Sequence, residues 1–261
     1  MTATVPRLTR ELRSMGVTAG SVIMVHAAMR RVGGRAEDLV TAMDAAVGRR
    51  GTWMMNIGPA PDPAGFDALD TVVDPDVGVL AEVFRTTPGT VVSNHPEGRM
   101  GARGRHAVAL TADVPWHHYY GPGSPLARFL ALDGSVLRLG ADPETVTLYH
   151  YAEHLARVHP KVAVTRFPLV RAADGTTRRR RVDCLDDTNG IAPWPDEDYF
   201  AAITRAIMRS GLAQTGTVGG AVAERFDGNA AVAVAVRWIE RHLRSSTGTA
   251  VTRPPVVAGE G

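Results

Sequence analysis

Ser21–Ala27 reads SVIMVHA, a short apolar run rich in β-branched residues and long enough for one buried strand. Downstream of it, Ala36–Val47 carries Leu39, Val40, Met43 and Val47 at helical spacing, so a helix follows. Gly51 then turns the chain into TWMMNI, Thr52–Ile57, a second buried strand. Strand, helix, strand is the unit from which α/β domains are built.

The same alternation extends outward in both directions. Pro6–Met15 predicts a helix, with Pro6 in its first turn and Gly16 able to cap its end. Val77–Arg85 reads as helix, Val91 and Val92 as a short strand, and Ser135–Ala141 as a strand. Ser124 is placed as the N-cap of a helix that begins at Pro125. Thr145–Val158 is a further helix, stopped by Pro160. Lys161–Leu185 reads as two strands around the Asp-Gly turn of AADGTT. Asp196–Ser210, Ala221–Phe226 and Asn229–Leu243 complete the reading as helices. The expected fold is one α/β domain over residues 1–244, a mixed, largely parallel central sheet with helices on both faces. Residues 245–261 form a polar, Pro/Gly-rich tail. Between the second strand and the next helix, Pro59–Pro75 is rich in proline and aspartate and long for a structureless loop, a length that points to function.

Composition excludes several classes. The chain has 261 residues, 44% hydrophobic and 21% charged, ordinary for a globular protein. No apolar run approaches the ~20 residues that cross a bilayer, and the charged N-terminus lacks the apolar core of a secretory signal. The single cysteine, Cys184, excludes an internal disulfide framework and a Cys-rich zinc site, and it suits a cytoplasmic protein. The net charge is +2, and Arg178–Arg181 is a basic run with no aromatic inside it; it reads as a solvated hairpin strand rather than a nucleic-acid surface.

The chemistry concentrates in TLYHYAEH, Thr147–His154. His150 and His154, at i and i+4, share a helix face and could ligate zinc, with Glu153 as base and Asp183, Asp186 or Asp187 as third ligand. Without metal, the same helix offers a different reading. Thr147, His150 and Glu153 are one turn apart, and a histidine steered by a carboxylate takes a proton near neutral pH. A returning hairpin would bring Asp186, in RVDCLDDTNG, to the ring.

Seven ordered blocks bear on that choice: GVTAGSVIMVHAAMRRVGG, GTWMMN, FDALDTVVDPDVGVLAEVFRTTPGTVVSNHPEGRMGARG, GPGSPLARFLALDGSVLRLGA, TLYHYAEH, RRVDCLDD and LAQTGTVGGAVAERF. In this order and spacing, from about Arg7 to Leu243, the chain resembles the aminoglycoside 3-N-acetyltransferases, the antibiotic N-acetyltransferase family. The resemblance implies direct acetyl transfer from acetyl-CoA to the 3-amino group of an aminoglycoside's deoxystreptamine ring, with no metal. It implies His150 as general base, Asp186 as the acid orienting it, and Thr147 as a catalytic-site hydroxyl. It places Asp62, with Asp67 in the same loop, and Glu153 on the substrate side. It assigns the cofactor to His26, Ala27, Ala28, Met29, Arg30 and Arg31, to Ser93 and His95, and to Ser124 and Pro125. A homodimer is a further expected partner state, although no sequence feature marks its interface.

Some positions depart from the family pattern. Relatives commonly read V-H-S-S where this chain has Val25-His26-Ala27-Ala28, and M-P where it has Met55-Asn56. RRVGGR, Arg30–Arg35, ends in arginine where the pyrophosphate loop of the commoner acetyltransferase fold needs a small residue, so that other fold is not expected. A zinc-dependent hydrolase and a catalytically inactive CoA-binding relative are the alternatives.

Overall fold

The computed structural model describes residues 3–172, 174–194 and 198–243. At its centre lie β1 (Val22–Ala27), β2 (Thr52–Asn56) and β5 (Ser135–Leu139), with β1 between the other two and parallel to both. β11 (Ala221–Asp227) lies antiparallel on β5, and β10 (Ala213–Val218) antiparallel on β11. On the other side, β4 (Met100–Gly104) lies antiparallel on β2, and β3 (Val91–Val92) on β4. The seven-stranded order is β10-β11-β5-β1-β2-β4-β3. Because β3 and β10 each reverse an already reversed neighbour, five of the seven strands point the same way, as expected for a mixed, largely parallel sheet.

Side-chain alternation along β1 builds two cores. Ile23 and Val25 face a layer made with α1 (Val5–Ser14), α3 (Ala36–Val47) and α4 (Val79–Thr86), where Leu12, Leu39, Met43 and Phe84 are buried. Met24 faces the opposite layer, where α5 (Ala107–Thr111), α6 (Pro125–Ala131), α7 (Tyr149–Leu155), α8 (Tyr199–Arg209) and α9 (Gly228–His242) bury Leu110, Phe129, Tyr149, Ile203 and Ile239. A four-residue turn of helix, α2 (Met29–Val32), follows β1 directly.

Several expectations are corrected. Ala221–Phe226 is a strand, not a helix: Ala221, Ala223 and Phe226 point inward while Val222 is exposed, and Val218 and Val222 lie on either side of the Gly219-Gly220 turn. Lys161–Leu185 holds four short strands rather than two. β6 (Ala163–Arg166) pairs with β9 (Val182–Leu185), and β7 (Leu169–Arg171) with β8 (Thr177–Arg179), so one hairpin is nested at the tip of another. α7 is shorter than the expected Thr145–Val158, because Pro143–Thr145 is a separate 3-10 turn. α8 starts at Tyr199; Asp196 and the tail 245–261 lie outside the described residues. β4 and β10 had no signal, since Gly101, Gly104 and the polar AQTGTV lack β-branched alternation.

The Pro59–Pro75 loop is ordered. Arg99, fully buried, donates to the carbonyls of Ile57 (2.8 Å), Thr71 (2.6 Å), Ala68 (3.2 Å) and Val72 (3.2 Å). The loop thereby gains internal partners for carbonyls that a connection normally leaves to water.

Candidate active site

α7 begins ten residues after β5 ends, at the carboxyl edge of the parallel strands, where open α/β sheets bind ligands. Tyr149 and Ala152 pack into the core, and the Tyr149 hydroxyl meets Thr204 Oγ1 at 3.0 Å. That anchoring leaves His150 and Glu153 at the edge of the layer. His150 Nδ1 lies 2.9 Å from Glu153 Oε2, and Glu153 is almost fully buried. Since the carboxylate accepts, Nδ1 carries the proton. Nε2 makes no hydrogen bond among the described residues. The imidazole stacks on Tyr120, with centroids 4.9 Å apart and planes 6° from parallel, and meets Phe200 edge-on at 4.8 Å. Burial pulls its proton affinity down, but the Glu153 hydrogen bond and charge, helped by Asp187 and Asp198, outweigh it and hold the pKa above the ordinary histidine value.

His150 and Glu153 open on a cavity of about 280 Å³, whose wall includes Asp187, Asn189, Asp198, Tyr199 and Phe200. Asp187 accepts from Arg166 Nη2 and from the Tyr119 hydroxyl, each at 2.5 Å. Burial pushes its carboxyl up, but the charges of His150 and Arg166 reverse that and keep it ionised. Glu97 stands 3.7 Å from Arg166, and burial raises its pKa. Three carboxylates on one small cavity favour a cationic guest.

The residues expected from sequence divide clearly. Asp186 does not orient His150. Its Oδ1 accepts the N–H groups of Thr188 (3.1 Å) and Asn189 (2.9 Å), and its Oδ2 accepts from Asn189 Nδ2 at 3.1 Å, so it caps a turn; Glu153 takes the orienting position. Thr147 is buried one turn before His150, and its hydroxyl makes no hydrogen bond among the described residues. Asp62 is held by Ala64 N (2.8 Å) and Thr71 Oγ1 (3.1 Å), and Asp67 by Leu69 N and Asp70 N. Neither lines the cavity.

The cofactor positions divide in the same way. His95 is buried with every ring nitrogen engaged: Nδ1 accepts from Glu97 N and Gly98 N, and Nε2 meets Trp116 O at 3.0 Å. Ser93 is buried and accepts from Met100 N at 2.8 Å, and Ser124 caps α6 through Ala127 N, with Pro125 buried at its first position. In the fold the side chains of Ser93, His95 and Ser124 hold the surrounding backbone, and Pro125 starts α6. Arg31 is paired with Asp142 at 2.6 Å. His26 is buried beside Arg138 with its Nε2 unpartnered, and burial drives its pKa to about 3. Ala27 and Ala28 lead into α2, Ala28 N donates to Leu139 O at 3.0 Å, and Arg30 is exposed.

The H-x-x-E-H spacing does not assemble a metal site. His154 turns away to meet His118 edge-on at 5.5 Å, and burial, with His118 and Lys161 nearby, lowers its pKa to about 4. No three His, Cys, Asp or Glu side chains among the described residues are placed to share a cation. Tyr120, Asp198 and Tyr199 had no sequence signal, because each comes from a different segment. The sequence marks Asp187 only as a possible metal ligand, although it adjoins Asp186 in CLDD.

Fold and site together place the Glu153-held imidazole of His150 over an acid-lined cavity in an α/β protein. The chain belongs to the aminoglycoside 3-N-acetyltransferase family, a family of acyltransferases whose model matches residues 24–240. It is similar to aminoglycoside N(3)-acetyltransferase VII of Streptomyces paromomycinus, 35% identical over 93% of each chain. Among solved structures it is similar to "AAC-IIIb binary with CoASH", with a TM-score of 0.89, 33% identity and coverage of 95% of this chain and 100% of that one. It is likewise similar to "AAC-VIa bound to Sisomicin", with a TM-score of 0.86, 31% identity and coverage of 94% and 100%.

Proposed function

We propose that the protein transfers the acetyl group of acetyl-CoA to an amine of an aminoglycoside, the 3-amino group of the deoxystreptamine ring, with His150 as the general base. One observation carries this reading: His150 Nδ1 is committed to Glu153, which leaves Nε2 as the acceptor beside an acid-lined cavity. An ammonium group is no nucleophile, so the site must attract a cation and then receive its proton. Asp187 and Asp198 perform the first task and Nε2 the second. Asp62 and Asp67, in the ordered loop, act on the substrate's outer amines.

Acetyl-CoA, the co-substrate, supplies the acyl group as a thioester. The residues after β1 suit its phosphates: the N–H groups of Met29 and Arg30 make no hydrogen bond among the described residues, and Arg30 is exposed. Backbone donors replace the hydroxyls that Ala27 and Ala28 lack. One proton leaves the ammonium to solvent before attack; as the C–N bond forms and the C–S bond breaks, Nε2 takes the second nitrogen proton, which is then available to the departing thiolate. Known relatives fit this reading: one solved neighbour is bound to CoASH and another to sisomicin.

The test is a thiol-release assay with acetyl-CoA across aminoglycosides, with the acetylated position assigned by NMR. Acetylation at the 3-amino group is the expected result. Zinc stoichiometry with chelator-sensitive hydrolysis would sink the proposal, and so would acetyl-CoA binding without turnover on any amine.

A further inference from the structure

Beyond the His150–Glu153 pair lies a third member with no assigned role. The Tyr199 hydroxyl donates a short hydrogen bond to Glu153 Oε1, the oxygen that His150 does not use, and accepts from Ile191 N at 3.0 Å. Both groups are buried. Tyr199 opens α8, behind Asp198, whose side chain accepts from Phe200 N at 2.7 Å. The turn on its other side, 186–191, is built by Asp186, which binds Thr188 N and Asn189 N. That turn ends at Gly190, in a left-handed conformation (φ +84°), where any Cβ would collide with the Tyr199 ring. Asp186 therefore acts at one remove: it shapes the turn that seats Tyr199.

We propose that Tyr199 is a positioning residue, its hydroxyl locking the Glu153 carboxylate and through it the orientation of the His150 ring. The inference rests on His150 as base, but the geometry behind it does not depend on which amine is acetylated. A carboxylate with one oxygen on Tyr199 and the other on His150 cannot rotate without breaking a buried bond. The groups facing His150 are Glu153 and His154 on its own helix, Asp187 after β9, Asp198 and Tyr199 at α8, and Tyr120 before α6, with Lys161 near Glu153. Only Tyr199 donates to Glu153 without itself titrating near neutrality.

The sign of the effect follows from the donor. A carboxylate that loses a hydrogen-bond donor becomes more basic, so the His150–Glu153 pair holds its shared proton more tightly. Tyr199→Phe should move the midpoint of the kcat/KM–pH profile upward by ~0.5–1 pH unit. It should lower plateau kcat by about tenfold, with KM for acetyl-CoA within about twofold of the parent. In a Glu153→Gln background the same change should have no further effect on the midpoint, because Tyr199 acts through Glu153. An unmoved midpoint in Tyr199→Phe, or an equal shift in both backgrounds, would overturn the proposal. If the variant does not fold, NMR of the His150 ring in the parent protein decides. A proton on Nδ1 and a midpoint above ~6.5 support the lock, and a proton on Nε2 refutes it. That titration needs no substrate, so absence of acetyl transfer would count against the proposed reaction while leaving this inference to be judged separately.

Discussion

At the residue scale, His150 is governed by one carboxylate in a place where burial alone would keep the ring neutral. Replacing it with alanine should lower kcat/KM by ~10²–10⁴-fold, the usual worth of a positioned base. Acetyl-CoA affinity by calorimetry should be retained. Because its pKa is held above the histidine norm, activity should rise with pH through a midpoint above ~6.5. Glu153→Gln removes the opposing charge and leaves desolvation in control, so the midpoint should fall below that value, read from the pH dependence of kcat/KM. The stability linkage has the matching sign. A raised histidine pKa contributes stability that is fully present below the unfolded value and is lost as pH rises through the folded one. The melting temperature of the parent should therefore lose ground to that of His150→Ala across this window. Asp62→Asn should raise KM for the aminoglycoside more than KM for acetyl-CoA in steady-state assays.

At the scale of elements, the loop 59–75 and the helix that carries the base show different kinds of legibility. His150 and Glu153 lie at i and i+3 on α7, so their pairing is written in local spacing. The loop's order is not, because it depends on Arg99, which is 24 positions or more beyond every residue in it. Arg99→Met would leave four carbonyls without their donor in or near the core. It should cost at least ~2–3 kcal/mol in denaturant unfolding and expose the loop to limited proteolysis. β11 departs from the expected helix for a related reason. AVAERF has alanine-rich helix propensity, but two flanking strands and the Gly219 turn override it (φ +63°).

Across the whole molecule, the fold brings three distant segments to one cavity: α7 after β5, the turn after β9, and the start of α8. The chain's net charge is +2, yet the cavity wall carries Glu153, Asp187 and Asp198. Attraction for a polycation is therefore local rather than a property of the whole surface. KM for the aminoglycoside should rise as ionic strength is raised while kcat holds, since screening weakens encounter and not proton transfer. Constant KM across a salt series would count against these carboxylates as the attracting groups.

By itself, the sequence determined the α/β class, the central strands and the histidine with its carboxylate neighbour, because hydrophobic period and helical spacing are local quantities. Its ordered blocks also pointed to the family. Only the tertiary structure decided which acid holds the imidazole, that Asp186 braces a turn, that Ser93, His95 and Ser124 are internal struts, and that Tyr199 meets Glu153 across 46 positions. The contacts of His150, Asp186 and Ser124 lie within three positions, but spacing alone does not choose among several nearby acids and donors, and the Tyr199–Glu153 bond exists only after tertiary packing has set the distance between α7 and α8.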